Sequence, residues 1–223
     1  DSVKSRGLGD VYKRQVVASD GTNTDTEAIV VNVTDANDNN PVLSVATPYS
    51  VAEGATTVGT VTASDADAGT TITFSLSGTD AADFAINSET GAITFASAPD
   101  FESPTGGAGN NSNAYSLNVV ASDGTNTDTE AIVVNVTNEN DNTPAFTSDS
   151  SFSIAEGTDS VATLAGSDAD GTTPTFSTTL AGDDAGDFTL TSGGVLAFAA
   201  TPDFEAAADA DTNNVYSITA TIT

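Results

Sequence analysis

The side chains able to do chemistry in this sequence are nearly all carboxylates. Glu53, Asp100, Glu102, Asp141, Asp168 and Asp170 stand in short motifs that return along the chain: Glu-Gly, Asp-Phe-Glu, Asn-Asp-Asn and Asp-x-Asp. Ionised oxygens of this kind suit a hard divalent cation, and calcium in particular, which accepts about 6 to 8 oxygens in loose geometry and takes Asn and backbone carbonyls as well. His and Cys are absent, so imidazole and thiolate zinc sites, disulfides, Ser-His and Cys-His dyads and haem ligation are all excluded. Glycoside hydrolysis needs only two carboxylates. Here, though, each candidate pair recurs from repeat to repeat, and the Asp100 to Glu102 loop has no aromatic sugar platform near it in sequence. The chain reads as a non-enzyme.

Charge narrows the partners further. The 223 residues carry 32 acidic and 4 basic side chains, a net charge of -28. Such a surface repels phosphate backbones, which removes nucleic acid as a partner. No apolar run approaches the roughly 18 to 20 residues that cross a bilayer as a helix. Val, Ile, Leu and Phe recur throughout, and 38% of residues are hydrophobic, so the chain is no disordered acidic tail. Part of the acidity also fits a solubility or high-salt adaptation. All four bases, Lys4, Arg6, Lys13 and Arg14, lie within the first 15 positions. Residues 1–15 therefore read as a non-native or artefactual segment.

A period organises the remainder. Residues 16–34 recur unchanged at 119–137, an offset of 103. The same offset carries Asn37-Asp38-Asn39 to Asn140-Asp141-Asn142, Glu53-Gly54 to Glu156-Gly157, Asp65 and Asp67 to Asp168 and Asp170, and Asp100-Phe101-Glu102 to Asp203-Phe204-Glu205. The expected organisation is the last strands of one repeat plus a linker at 16–40, a whole repeat at 41–143, and a repeat at 144–223 truncated before its last strand. By this offset Arg14 takes the place of Leu117, where a side chain should face a core and a guanidinium would lack a partner.

The elements that must position these acids are strands. Tyr115, Leu117, Val119 and Ala121 alternate with mostly polar residues, as do Ile132, Val134 and Val136, the pattern of half-buried strands. Further strands are expected at 44–51, 56–63, 70–76, 83–87 and 92–95, the last two joined by a turn at 88–91. In the last repeat the sixth strand is expected at Val215 to Ile222. About seven strands in about 100 residues indicate an all-β fold of tandem Greek-key, immunoglobulin-like sandwiches. Phe101 and Phe204 are expected as core anchors under their loops, and Asp20, Asp25, Asp128 and Glu130 as solvated surface. Sandwich loops gather at the two ends, so Glu53, Asp100 and Glu102 at one end of a unit would face Asp168 and Asp170 of the next across the Asp141 linker. Two carboxylates about 4 Å apart repel by roughly 4 kcal/mol at an effective dielectric of about 20, and a cation relieves this.

In these motifs, taken in order and twice over across residues 16–223, the sequence resembles the cadherin repeat in its bacterial cadherin-like form. The carrying segments are Glu53-Gly54, Asp65 with Asp67, Asp100 to Glu102, Ala121 to Gly124 and the linker Asp35 to Pro41, together with their copies; Asn138 replaces the linker's first Asp in the second. The resemblance implies three calcium ions at a junction. For the linker at 138–144 it implies Glu53, Asp100, Glu102, Asn140, Asp141, Asp168 and Asp170 as ligands, with backbone carbonyls of Glu139 and Asn142. For the linker at 35–41 it implies Asn37, Asp38, Asp65, Asp67 and Asp123. The counterpart of Asp123 falls beyond Thr223, and the acids preceding the first linker are not in the sequence, so each set is expected to be incomplete. The loop Asp65 to Thr70 lacks the Asn-Gly of many animal cadherins, which weakens the case for the third ion. Trp is absent, so adhesion by exchange of a Trp is unsupported. The expected function is that of calcium-binding repeats in an extracellular or cell-surface adhesion protein, membrane-anchored or secreted, with other copies of itself or a matrix component as partner. The alternative is a calcium-stiffened spacer displaying a catalytic or carbohydrate-binding domain.

Overall fold

The computed structural model describes residues 11–106 and 112–223, which fall into two units, Asp1–Thr137 and Asn138–Thr223. In the first, strands β1 (Val11–Ser19) and β2 (Thr24–Asn32) form an antiparallel hairpin. Asp20 closes its turn by accepting the backbone N–H groups of Thr22 at 2.9 Å and Asn23 at 2.7 Å, and Gly21 supplies the positive φ of 95°. β1 begins inside the segment set aside as non-native and pairs Arg14 with Ile29. Every side chain from Arg14 to Asn32 is exposed.

The sandwich that follows has nine strands: β3 (Val42–Ser44), β4 (Tyr49–Ala52), β5 (Thr57–Thr60), β6 (Thr62–Ser64), β7 (Thr73–Ser77), β8 (Phe84–Ile86), β9 (Ala92–Phe95), β10 (Ala114–Ser122) and β11 (Thr127–Thr137). One layer runs β4-β11-β10-β7, with β4 parallel to β11; the other holds β3-β6 and β5-β9-β8. The alternation expected on β10 and β11 is the observed one: Tyr115, Leu117, Val119, Ala121, Ile132, Val134 and Val136 are all buried. They meet Leu43, Val61, Phe84, Ile93 and Phe95 in a single core. Phe84, Phe95 and Tyr115 stack with centroids 4.4 to 5.5 Å apart, which adds shape-specific packing to the area buried.

Two expected strands are each split. Residues 44–51 divide into β3, bonded to β6, and β4, bonded to β11; the chain crosses from one layer to the other around Pro48, which has no N–H to give to a ladder. Residues 56–63 divide at Val61, whose N–H bonds to the Gly91 carbonyl at 3.0 Å. The strand expected from residue 70 begins at Thr73, because the residues before it belong to a loop that holds the linker.

In the second unit β12 (Ala145–Phe146) pairs with β14 (Gly166–Ser167), and β13 (Ser160–Thr163) with β16 (Val195–Phe198), which also pairs with β15 (Phe188–Leu190). The Phe188, Phe198 and Tyr216 trio repeats the one above. The strand expected at Val215 to Ile222 is present only as isolated bridges, Phe176 with Ile222 and Ala181 with Thr219. Residues 151–155, the counterpart of β4, form no strand. Both departures share a cause. β4 and β10 flank β11 in the complete sandwich, and the described residues of the second unit include no counterpart of β11. Phe204 is also not the core anchor expected of it, being 65% exposed where Phe101 packs on the core; the core beside it is smaller and open on that side.

Identical sequence in different surroundings gives a direct test. Ile132→Ala should cost the 41–137 sandwich about 2 to 5 kcal/mol in denaturant unfolding. The same change at Ile29 should leave that transition within about 0.5 kcal/mol.

Candidate metal centre

The first linker is held by oxygen atoms. Asp67, at the loop following β6, is buried, and its Oδ2 accepts the backbone N–H groups of Asp38 at 2.9 Å and Asn39 at 2.8 Å. Its Oδ1 accepts the Asn39 side-chain amide. These donors, those of Asn39 foremost, hold the Asp67 carboxyl below the ordinary carboxylate range. A depressed folded-state value means that the stabilisation is fully present above the unfolded value and is lost as pH falls through the folded one. Asp35, not among the expected ligands, accepts the Ala68 N–H at 2.6 Å. Across the linker, Asp123 in the β10–β11 turn accepts the N–H groups of Asn126 at 2.6 Å and Thr125 at 2.7 Å, and Asn126 donates its side-chain amide to the Asn39 carbonyl at 2.9 Å. The backbone bonds of Asn126 are the main cause of the lowered Asp123 value.

Between these two loops lies a polar cleft of about 370 Å³ lined by Asp35, Asn37, Asp67 and Asp123 among others. Two details of these loops would suit a cation, the first in the Asp65 to Asp67 loop and the second in the cleft. Asp65 Oδ1 accepts the Asp67 N–H at 2.8 Å, but its Oδ2 is buried with no hydrogen-bond partner among the described residues. The Asn37 amide sits 3.2 Å from Asp67 Oδ2 and 2.9 Å from Asp123 Oδ2. With its nitrogen turned inward it donates to both and its oxygen accepts from the Thr125 hydroxyl at 3.3 Å; with its oxygen inward, it joins the two carboxylates as a third acceptor, an arrangement that a cation would favour. Asp38 bonds the Asn39 amide through its side chain at 3.1 Å and is exposed to solvent.

The other end of this sandwich carries a second group. Glu53 is buried, and its Oε2 accepts the Phe101 N–H at 2.7 Å. Glu53 and Glu102 each place a carboxylate oxygen within 4.8 Å of the other. Asp100 is turned to the Ser103 N–H at 2.8 Å.

The second unit repeats the linker pattern. Asp170 Oδ2 accepts the Asn142 N–H at 2.8 Å and Oδ1 its side-chain amide at 2.7 Å; these bonds, the side-chain one first, lower its value. Asp168 accepts the Asp170 N–H at 2.9 Å, and Asp141 and Asp170 bring carboxylate oxygens within 4.8 Å of each other. Asn140 lies exposed in the same bend. Glu156, Asp203 and Glu205, known from their motifs but outside the expected ligand sets, each place one oxygen within a 4.8 Å cluster, and Glu156 accepts the Phe204 N–H at 2.9 Å as Glu53 does that of Phe101.

Several acids do structural work that the sequence reading passed over. Buried Asp80 and Asp184 accept the N–H groups of Ser116 at 2.6 Å and Ser217 at 2.7 Å. Their signal was a recurring Asp-x-x-Asp-Phe at residues 80–84 and 184–188. Asp128 is not simply solvated surface: its Oδ2 accepts the Leu43 N–H at 2.8 Å and so ties β11 to the start of the sandwich.

The cadherin domain family model matches residues 47–137. The chain is 40% identical over 150 residues to the protocadherin-like wing polarity protein stan of Drosophila melanogaster, covering 60% of this chain and 4% of that protein. It is 35% identical over 162 residues to human protocadherin Fat 1, covering 66% of this chain and 3% of that protein. It thus spans only a small part of the curated relatives it matches. Among solved structures, mouse protocadherin-24 EC1-3 superposes with a TM-score of 0.60 at 26% identity, covering 87% of this chain and 68% of that one. The domain match, the relatives and the shared immunoglobulin-like sandwich together make this chain a cadherin-repeat protein.

Proposed function

We propose that this chain is a calcium-binding segment of an extracellular or cell-surface adhesion protein, its repeats stiffened at their linkers by the metal. The observation that carries the reading is the first-linker oxygen set: a buried Asp65 oxygen without a donor and an Asn37 amide set against two carboxylates. No base follows Arg14 in the sequence, so no side-chain cation of the repeats is available to answer them. Calcium, when bound, supplies that charge together with a coordination shell wide enough for carboxylate, amide and backbone oxygens.

The chain's own part is to position those oxygens. Asp67 latches the linker through the N–H groups of Asp38 and Asn39, keeping Asn37 over the cleft, while the Asp123 turn closes it from the other side. For the linker at 138–144, Glu53, Asp100 and Glu102 would come from one repeat and Asn140, Asp141, Asp168 and Asp170 from the linker and the next. In support, Glu53 with Glu102, and Asp141 with Asp170, are each already paired at close range within their own units. Sharing a cation relieves the mutual repulsion of such groups and stiffens the linker they flank. The affinity expected of an extracellular module is roughly 10⁻⁴ to 10⁻³ M, so external calcium would keep the repeats extended.

Two measurements test this. About 10 mM calcium acting on a site of Kd about 10⁻³ M should stabilise by about 1.4 kcal/mol. Asp141→Ala combined with Asp170→Ala should remove that stabilisation from the melting of the second unit, while the 41–137 sandwich stays folded; an unchanged shift would refute the ligand assignment. In metal-free protein, Asp67→Ala should abolish hydrogen-exchange protection of the Asp38 and Asn39 amides and leave that of β10 and β11 in place, as read by NMR.

A further inference from the structure

Asn37 can face the first-linker cleft in two ways, because the oxygen and nitrogen of an amide are nearly equal in size and only their hydrogen bonds distinguish them. With the nitrogen inward it donates to Asp67 Oδ2 at 3.2 Å and Asp123 Oδ2 at 2.9 Å, and the oxygen accepts from the Thr125 hydroxyl at 3.3 Å. With the oxygen inward the nitrogen donates to the Thr125 hydroxyl at 3.3 Å and reaches the Asp123 carbonyl at 3.5 Å. The outer half of the amide is therefore bonded in both orientations. Thr125 makes this possible: a hydroxyl carries one proton and two lone pairs, and it changes from donor to acceptor by turning about one bond.

The inner half differs in charge. Asp67 and Asp123 are each anchored on their own loop, the first by the N–H groups of Asp38 and Asn39, the second by those of Thr125 and Asn126. Both line the cleft. No base follows Arg14 in the sequence, so the side-chain protons of Asn37 stand where a cation would otherwise answer the two carboxylates. Nitrogen inward, the amide bridges the two loops. Oxygen inward, it gives up that bridge and adds a third acceptor, which is costly unless a cation enters.

We propose that the Asn37 amide is a two-position group: nitrogen inward, it substitutes for the cation in metal-free protein and ties the Asp67 loop to the Asp123 turn; oxygen inward, it serves as a ligand, with the Thr125 hydroxyl reversing from donor to acceptor. This rests on the calcium reading above. It follows that the metal-free linker is already clamped, and that binding must first break the two bonds of the clamp. The amide thus orders the empty site and weakens its affinity for calcium at the same time.

The test is NMR on the isotope-labelled full chain, in chelator and in about 10 mM calcium. Cross-relaxation from the Asn37 amide protons to Thr125 Hβ and its methyl should be weak in chelator and become strong in calcium. Asn37→Asp keeps an oxygen at this position and loses the protons. In chelator it should reduce hydrogen-exchange protection of the Asp38 and Asn39 amides by about tenfold or more, while β10 and β11 stay protected. Calcium should restore that protection, and calorimetry should show the variant binding calcium more tightly than the unaltered chain. Calcium that shifts the Asp67 and Asp123 resonances without changing the Asn37 to Thr125 contact overturns this proposal alone. So does an Asn37→Asp chain whose metal-free linker is as protected as before, or one whose affinity does not rise. Calcium that leaves the Asp67 and Asp123 resonances unmoved overturns this proposal and the calcium reading together.

Discussion

Beyond Arg14 this protein has carboxylates and no side-chain cation to pair with them, and much of the structure follows from how those charges are met. In the absence of ion pairs, the available partners are backbone N–H groups, which make strong, short bonds to an ionised acceptor. Glu53 takes that of Phe101, Glu156 that of Phe204, Asp80 that of Ser116 and Asp184 that of Ser217. Each such bond pins a loop or a 3₁₀ turn to a strand or to another loop. The acids therefore hold the loops in position before any metal is considered. At the first linker one buried oxygen of Asp65 has no donor among the described residues, and the Asn37 amide lies against the carboxylates of Asp67 and Asp123.

The same donors bear on the chemistry open to these carboxylates. A carboxylate that serves as a general acid needs surroundings that raise its proton affinity toward the working pH. The shifts at Asp67, Asp123 and Asp170 run the other way, downward, because backbone and amide donors stabilise the charged form. Groups whose charged form is favoured in this way suit the role of a ligand. That agrees with membership of a family whose domains are adhesion modules.

The two units also show how far a strand depends on its neighbours. β4 exists as a strand because β11 lies beside it; its counterpart at 151–155 forms none. Tyr216 keeps its aromatic stacking with Phe188 and Phe198, yet the residues from 215 to 222 form bridges rather than a ladder. Local packing survives without the adjoining strand, whereas sheet structure does not.

How much of this was legible beforehand differs by level. Period-2 alternation and the 103-residue repeat were enough for an all-β tandem of sandwiches, because a strand that buries one face must write that face into its residues. The repeated acidic motifs named the carboxylates that crowd the first linker, since that chemistry needs oxygen side chains and the sequence contains few alternatives. Which N–H meets which carboxylate was not legible: Asp128 and Leu43 are 85 residues apart, and no local pattern marks the pair. Nor was the fate of two identical segments. Residues 24–34 and 127–137 have the same intrinsic preferences and both form hairpin strands, but one lies in water and the other in a core. Sequence determines the face a strand offers; the tertiary structure decides whether anything is there to cover it, because burial is a property of the neighbours and not of the strand.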